Sequence, residues 1–422
     1  MPPPGLPGEH GAVPGRLGAW LLRPLVDLGP FETGPMYAAA VDHYWQAWVD
    51  PAAPRFLLQR ILPHGFRRLM LREIGQAADD VADPRQRPPD RRTPRWQRLC
   101  DALDRFDATD DDERARLLLL LHALGFYALI AALPAGPRAP LAALSPSAVE
   151  ALYWQASARY LLAMPADIGR YRDADLEVFE AIAEQAQQAP HMAFNAAVKT
   201  LVHGAKSGAD AALLALRADR VARRLADVRA QLDPFWTTLL SSRHHRALAY
   251  LPMRRGDRAE VVRQMDLAEA LALDVPAQGA AQTLMRRENL HPVLESRAKE
   301  AAWLGLTDLA LQRAQAVIEL DPCDPKSWLE KGELLMAGAR WPEAAEAFVR
   351  AAILGPPAGA IARHMAGQCL RHSCQPALAA LMYRDALEID PLGVSPRSAL
   401  AMMHDGPPFE ALASWSGRRF EK

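Results

Sequence analysis

The sequence predicts an all-α protein, with an N-terminal helical region followed by a C-terminal α-solenoid. Three observations predict it. The 422 residues are 50% apolar but only 7% aromatic, an Ala, Leu and Arg palette that favours helices over the Val/Ile/Thr clusters of strands. The last third echoes itself at spacings of 34 and 35 residues, as stacked supersecondary units do. Capping residues stand at the ends of apolar periodic runs, and no Asn-Gly or Asp-Gly turn lies between alternating strands.

Residues 1–16, rich in Pro and Gly and without the apolar core of a secretory signal, read as a disordered arm. A helical segment over 17–83 has stretches around Trp20 and over 35–48, 54–61 and 65–80. Tyr37, Val41, Tyr44, Trp45 and Trp48 share one helical face there. Residues 84–95, PRQRPPDRRTPR, read as an exposed Pro/Arg-rich linker.

A helical bundle is expected over 96–241. Within it, seventeen residues from Leu117 to Leu133 carry no formal charge, which is the lower limit for a membrane span. Thr109 as N-cap, the acidic run from Asp110 to Glu113, the following Pro134 and the absence of a basic flank make it the central helix of the bundle. Ser145 and Pro146 open another helix, and long helices are expected over 173–188 and 209–231. On the last, Leu214, Val221, Leu225, Val228 and Leu232 form an apolar stripe, with Arg217, Arg220 and Arg224 on another face.

Residues 242–290 read as a degenerate repeat: a turn at Gly256 and Asp257, Val261 where a small residue is expected, and an insertion before His291. Three clearer copies occupy 291–391. The first, from His291, has Ala298, Ala310, Val317, Leu320 and Pro322 in register. The second, over 325–358, has Trp328, Gly332, Trp341, Ala344, Phe348, Ala351, Leu354 and Pro356. The third, from Ala360, has Gly367, Ala379, Tyr383, Ala386, Ile389 and Pro391. Residues 392–422 supply a capping helix over about 396–404 and a tail.

These residues and spacings resemble the tetratricopeptide repeat (TPR). The resemblance implies two antiparallel helices, A and B, in each unit. Gly332 with Ala344, and Gly367 with Ala379, would let the axes approach. Phe348 and Tyr383 would fill the space between units. It also implies a scaffold or adaptor that holds a protein or peptide partner in a concave groove lined by the A helices. Carried onto this chain, the groove positions are Glu295, Lys299 and Trp303 in the first copy and Lys326, Leu329, Glu333 and Met336 in the second. The third contributes His364, Gln368, Arg371 and His372. The family's Lys/Asn clamp for a C-terminal carboxylate is not reproduced.

A net charge of −1 gives no global field to attract nucleic acid. Four cysteines without framework spacing point to a reducing, cytoplasmic setting. Asp79, Asp80 and Asp83 resemble the magnesium motif of isoprenoid synthases, but no second motif faces them, and they read as a polar helix terminus. Glu288 and His291 form one ExxH pair; a di-iron bundle needs two, and Pro292 places this pair at a helix junction. Cys369, His372 and Cys374 are three soft ligands, with Cys323 the nearest fourth, and read as a buried thiol and turn residues. Adjacent His244 and His245 diverge by about 100° on a helix and cannot share an ion. No catalytic residue, metal or cofactor is assigned, and no GxSxG, HExxH or phosphate-binding loop is present. The alternative reading is an enzyme or accessory biosynthetic protein with its active site in the N-terminal helices, the repeats recruiting a substrate or second enzyme. A membrane-associated assembly through 117–133 is the third.

Overall fold

Prolines and short polar caps set the helix boundaries of this chain. The structure, a computed structural model, describes residues 43–53, 55, 82–134, 139–163, 173–322, 324–354 and 359–405. The readings for 1–16, 56–80 and 406–422, and for Tyr37, Val41, Cys323 and Pro356, lie outside the described residues. Every regular element among the described residues is helical. After a helix at 43–49 come α1 (Pro94–Asp104), α2 (Asp111–Ala123), α3 (Tyr127–Ala132), α4 (Pro146–Ala163), α5 (Asp173–Gln185) and α6 (Pro190–Ser207). Next are α7 (Ala211–Gln231), α8 (Pro234–Leu248), α9 (Tyr250–Arg254), α10 (Arg258–Leu273), α11 (Gly279–Trp303) and α12 (Thr307–Leu320). The last five are α13 (Pro325–Ala337), α14 (Trp341–Leu354), α15 (Gly359–His372), α16 (Pro376–Ile389) and α17 (Val394–Asp405). Asp110, Asp210, Asp233 and Asp257 each accept the backbone N–H three residues on, at 2.8–3.1 Å, and each such cap contributes about 1 kcal/mol.

The chain divides into two compact units, one over residues 29–321 and one from Pro322 onward. In the unit ending at Asp321, α2 and α3 both pack on α4, and consecutive helices pack from α4 to α8. The chain of contacts continues α8 to α10, α10 to α11 and α11 to α12. Tyr44, Trp45 and Trp48 are buried, as their shared face requires. Helix α2 is buried nearly all round, from Leu117 through Leu121; each such leucine contributes about 2 kcal/mol relative to exposure.

Expectations change at several points in this unit. The N-cap of α2 is Asp110 rather than Thr109, whose hydroxyl donates to Phe106 O instead. The apolar run from Leu117 to Leu133 is two helices, because Gly125 adopts a φ of 77° and Phe126 N–H bonds back to Leu121 O, the Schellman stop. No described helix is long and apolar enough to cross a membrane. Residues 84–95 are mostly exposed, as read from the sequence, but are shaped into two 3-10 turns, with Pro84 and Arg87 buried. Trp96 Nε1–H donates to Pro84 O at 3.0 Å, which pulls the segment onto α1.

Pro292, expected at a junction, lies inside the continuous helix α11. A proline there forfeits one backbone bond. Burial of Leu284, Met285, Val293, Ala298 and Ala301 along the same helix offsets the loss. On α7 the apolar stripe is buried at Leu214, Val221, Leu225 and Val228, and the arginines turn inward as well. Arg217 pairs with Glu180 at 2.7 Å, and Arg220 with Glu180 and Glu184. Arg224 donates to the carbonyls of Ala183 and Glu184 at 2.7 and 2.6 Å.

In the unit from Pro322, α13 to α17 pack each on the next, the nearest-neighbour pattern of a helical-repeat array. The glycines work differently from the expected Gly–Ala crossings. A Cβ on Gly332 would lie 2.6 Å from the Phe348 ring. Glycine thus makes room for the aromatic of its own unit's B helix. The equivalent positions one copy earlier are Ala298 and Ala314, both buried.

Candidate functional site

The A helices of the repeats carry the residues expected to meet a partner. On α13, Lys326 and Glu333 are exposed, and Lys326 reaches Glu330 at 3.6 Å. Met336 is half-buried. Leu329 packs with Trp328 against Ala351, Ala352 and Ala362, so it serves the core as well as the surface. On α15, His364, Gln368, Arg371 and His372 are all half-buried. The His364 ring lies 5.5 Å from that of Tyr383. His372 stacks on Trp341 at 4.2 Å with planes 13° apart, and burial lowers its pKa, with Arg371 adding to the shift.

Trp341 is therefore a member of this surface that the sequence reading treated only as a repeat mark. Trp328 is another: its ring lies within 5.6 Å of Lys331 Nζ and 5.8 Å of Arg350 Cζ, and its Nε1–H donates to Pro322 O. Two tryptophans in one copy were the available signal.

The remaining expected residues lie on α11, in the unit that ends at Asp321. Lys299 is exposed and pairs with Glu295 at 2.5 Å. Trp303 packs against Ala249, Val261 and Met265 and is part of a core cluster.

Among the described residues no group of three or more His, Cys, Asp or Glu is placed to hold a metal ion. Cys369 is fully buried, and burial pushes its thiol up to about 12. Cys374 stands exposed in a turn with a φ of 58°, so the three soft ligands part company. Glu288 and His291 are nearly fully buried within α11, and Glu288 lies 3.4 Å from Arg287. Asp83 caps the first 3-10 turn and pairs with Arg85.

A second cluster, absent from the sequence reading, joins α2, α4 and α6. Lys199 Nζ lies 3.0 Å from Ser157 Oγ, which lies 3.1 Å from His122 Nε2. The rings of Tyr153, Tyr160 and Phe179 surround the Lys199 nitrogen at 5.6, 4.7 and 4.4 Å. Burial pulls Lys199 down to about 7 against the opposing pull of Asp175. Burial, with Lys199, pulls His122 down to about 3, so its imidazole is neutral. Asp175 is held by Arg159 at 2.8 Å.

No protein-family model and no curated protein matches the chain. Among solved structures it is similar to YrrB, described as a TPR protein with an unusual peptide-binding site, at 17% identity and a TM-score of 0.31. That match covers 49% of this chain and 97% of YrrB. It is also similar to the human IFIT1 dimer with PPP-AAAA, at 10% identity, a TM-score of 0.46, and 88% and 85% of the two chains. Likenesses this distant assign no activity. The repeat period, the helix pairs and the Gly–aromatic contacts make α13–α14 and α15–α16 tetratricopeptide-like helical hairpins.

Proposed function

We propose that this chain is a helical-repeat adaptor that holds a protein or peptide partner on its A helices, in a reducing, cytoplasmic setting. The observation that supports it most is the surface formed by α13 and α15. Exposed Lys326 and Glu333 on α13 offer charge, while Met336 and the Trp341–His372 stack offer apolar and aromatic area. Mixed surfaces of this kind, with aromatic anchors and a polar rim, are what peptide recognition uses. Arg371 adds a cation suited to an acidic or amphipathic segment. Glu295 and Lys299 on α11 belong to the same reading.

Affinity capture with the full chain tests it. The double variant Lys326→Glu with Arg371→Glu should lose the protein captured by wild type while its circular dichroism stays unchanged. Retention at the wild-type level would move the site off these helices, and capture of nucleic acid in place of protein would overturn the partner class. A second reading, an enzyme or accessory protein with its reactive centre in the N-terminal helices, is favoured by one observation: the His122–Ser157–Lys199 chain.

A further inference from the structure

Six arginines and one aspartate fall within residues 84–98, in a chain whose net charge is −1. Three of the arginines are engaged within the segment. Arg92 donates to the carbonyls of Arg87 and Arg85 at 2.7 and 2.9 Å and to Gln97 at 3.1 Å, which ties both 3-10 turns to α1. Arg87 is buried, and Arg85 pairs with Asp83 at 2.7 Å. The others, Arg91, Arg95 and Arg98, are exposed, as is Arg105 at the C-cap of α1. Positions 95, 98 and 105 lie within about 80° of one another around a helix, and Arg91 stands just ahead of the first turn. Arg91, Arg98 and Arg105 pair with no carboxylate among the described residues. The acids of α1 are already engaged: Asp101 accepts from Gln97 at 2.6 Å, and Asp104 lies 3.7 Å from Arg85.

Two of these guanidiniums rest on a floor of indoles. Arg95 Cζ lies over the Trp45 ring at 5.4 Å, and Arg98 Cζ over the Trp48 ring at 5.5 Å. A guanidinium held over a ring still has its N–H fork for phosphate oxygens. The row is therefore positioned by packing rather than left to wander.

We propose that this row binds the phosphate backbone of a nucleic acid, without regard to base sequence. Trp45, Trp48, Leu99, Leu103 and Phe106 beneath it are at most 3% exposed. The row thus offers a protein partner no aromatic or aliphatic anchor, and a bilayer nothing to insert. It also offers bases no ring to stack on. A phosphate backbone needs none of these, because release of its condensed counterions supplies the affinity. The near-neutral total of the chain conceals this local excess of charge. The row belongs to the unit over residues 29–321 and the adaptor surface on α13 and α15 to the other, so either can fail without the other.

Fluorescence anisotropy of the full chain tests it, with labelled oligothymidylate and a labelled mixed-sequence DNA duplex. Four neutralised phosphates imply a steep salt dependence. Raising salt from about 50 to about 200 mM should weaken the duplex complex roughly 150-fold and the single-strand complex roughly 50-fold. The triple variant Arg91→Gln, Arg98→Gln, Arg105→Gln should reduce either loss to about threefold. The matching triple lysine variant keeps the charges and should keep the steep dependence. No binding of either probe at about 50 mM salt would overturn the proposal. So would a steep dependence that survives the glutamine variant, or binding lost in Lys326→Glu with Arg371→Glu, which would place the site on the repeats. Polyglutamate bound as tightly as DNA would overturn nucleic acid as the class.

Discussion

The Tyr383 ring occupies the space that a side chain on Gly367 would need: a Cβ there would stand 2.5 Å from the ring. Gly332 and Phe348 repeat the relationship one unit earlier. Both rings are fully buried and have nowhere to retreat. Gly332→Ala and Gly367→Ala should each destabilise by about 1–3 kcal/mol, through overpacking. Gly332→Ala combined with Phe348→Leu should cost less than the sum of the two single changes. Urea unfolding of the four variants checks this; strict additivity would place the ring elsewhere.

Trp303 should behave as a core residue. Its contacts with Ala249, Val261 and Met265 tie α11 to the end of α8 and to α10. Trp303→Ala is expected to cost about 2–4 kcal/mol, the range for removing a packed aromatic that is not fully buried. An unchanged melting temperature would return it to the surface role the repeat register implies.

Acid should destabilise the protein well above the carboxylate range. Burial holds His122 and His191 at about 3 and His244 at about 4 in the folded chain. The unfolded chain protonates them near 6.5, so it binds more protons below that pH. Stability is therefore lost as pH falls from about 6.5, by up to about 1.4 kcal/mol per histidine and pH unit. Asp385 acts oppositely: burial raises it to about 6, so the folded state binds the extra proton and stability declines as pH rises from about 4 through 6. Three histidines outweigh one aspartate. Asp385→Asn should raise stability at pH 7 by on the order of 1–3 kcal/mol and leave it unchanged at pH 4. Denaturant midpoints against pH measure both slopes.

Pro292→Ala should stabilise. The substitution restores a backbone N–H inside α11, where an internal proline costs about 3 kcal/mol. Loss of the ring's buried surface returns part of that, and a net gain of about 1 kcal/mol is expected. A lowered melting temperature would mean that the ring's packing decides the site.

The repeats are legible in the sequence because sterics leave few residue types at a close helix approach. Gly332 and Gly367 declare themselves, and so do Pro322 and Pro391, which follow the ends of α12 and α16. The glycine's companion is less legible: spacing pointed to Ala344, but the ring of Phe348 takes the space, and no pattern separates two residues one helical turn apart. The run from Leu117 to Leu133 misleads because composition is blind to one positive φ at Gly125. The cluster at Ser157 is the least legible part. Its members are 35 and 42 residues apart along the chain and belong to three helices. The one hint is a lysine in the mainly apolar segment from Phe194 to Leu201, where a charge is costly to bury without partners.

Arg224 donates to the carbonyls of Ala183 and Glu184, in the final turn of α5. Those oxygens are among the last four of the helix and have no acceptor role within it. A guanidinium from α7 thus finishes a helix it does not belong to, and its charge meets the negative end of the α5 dipole. Sliding either helix along the other by one residue, about 1.5 Å, would strip both carbonyls and leave a buried guanidinium with Asp227 on its own helix as its remaining partner. Motion between these two helices is consequently closed to shear. They can tilt together as one piece or come apart, and any rearrangement in this part of the chain has to be carried by the turns between helices.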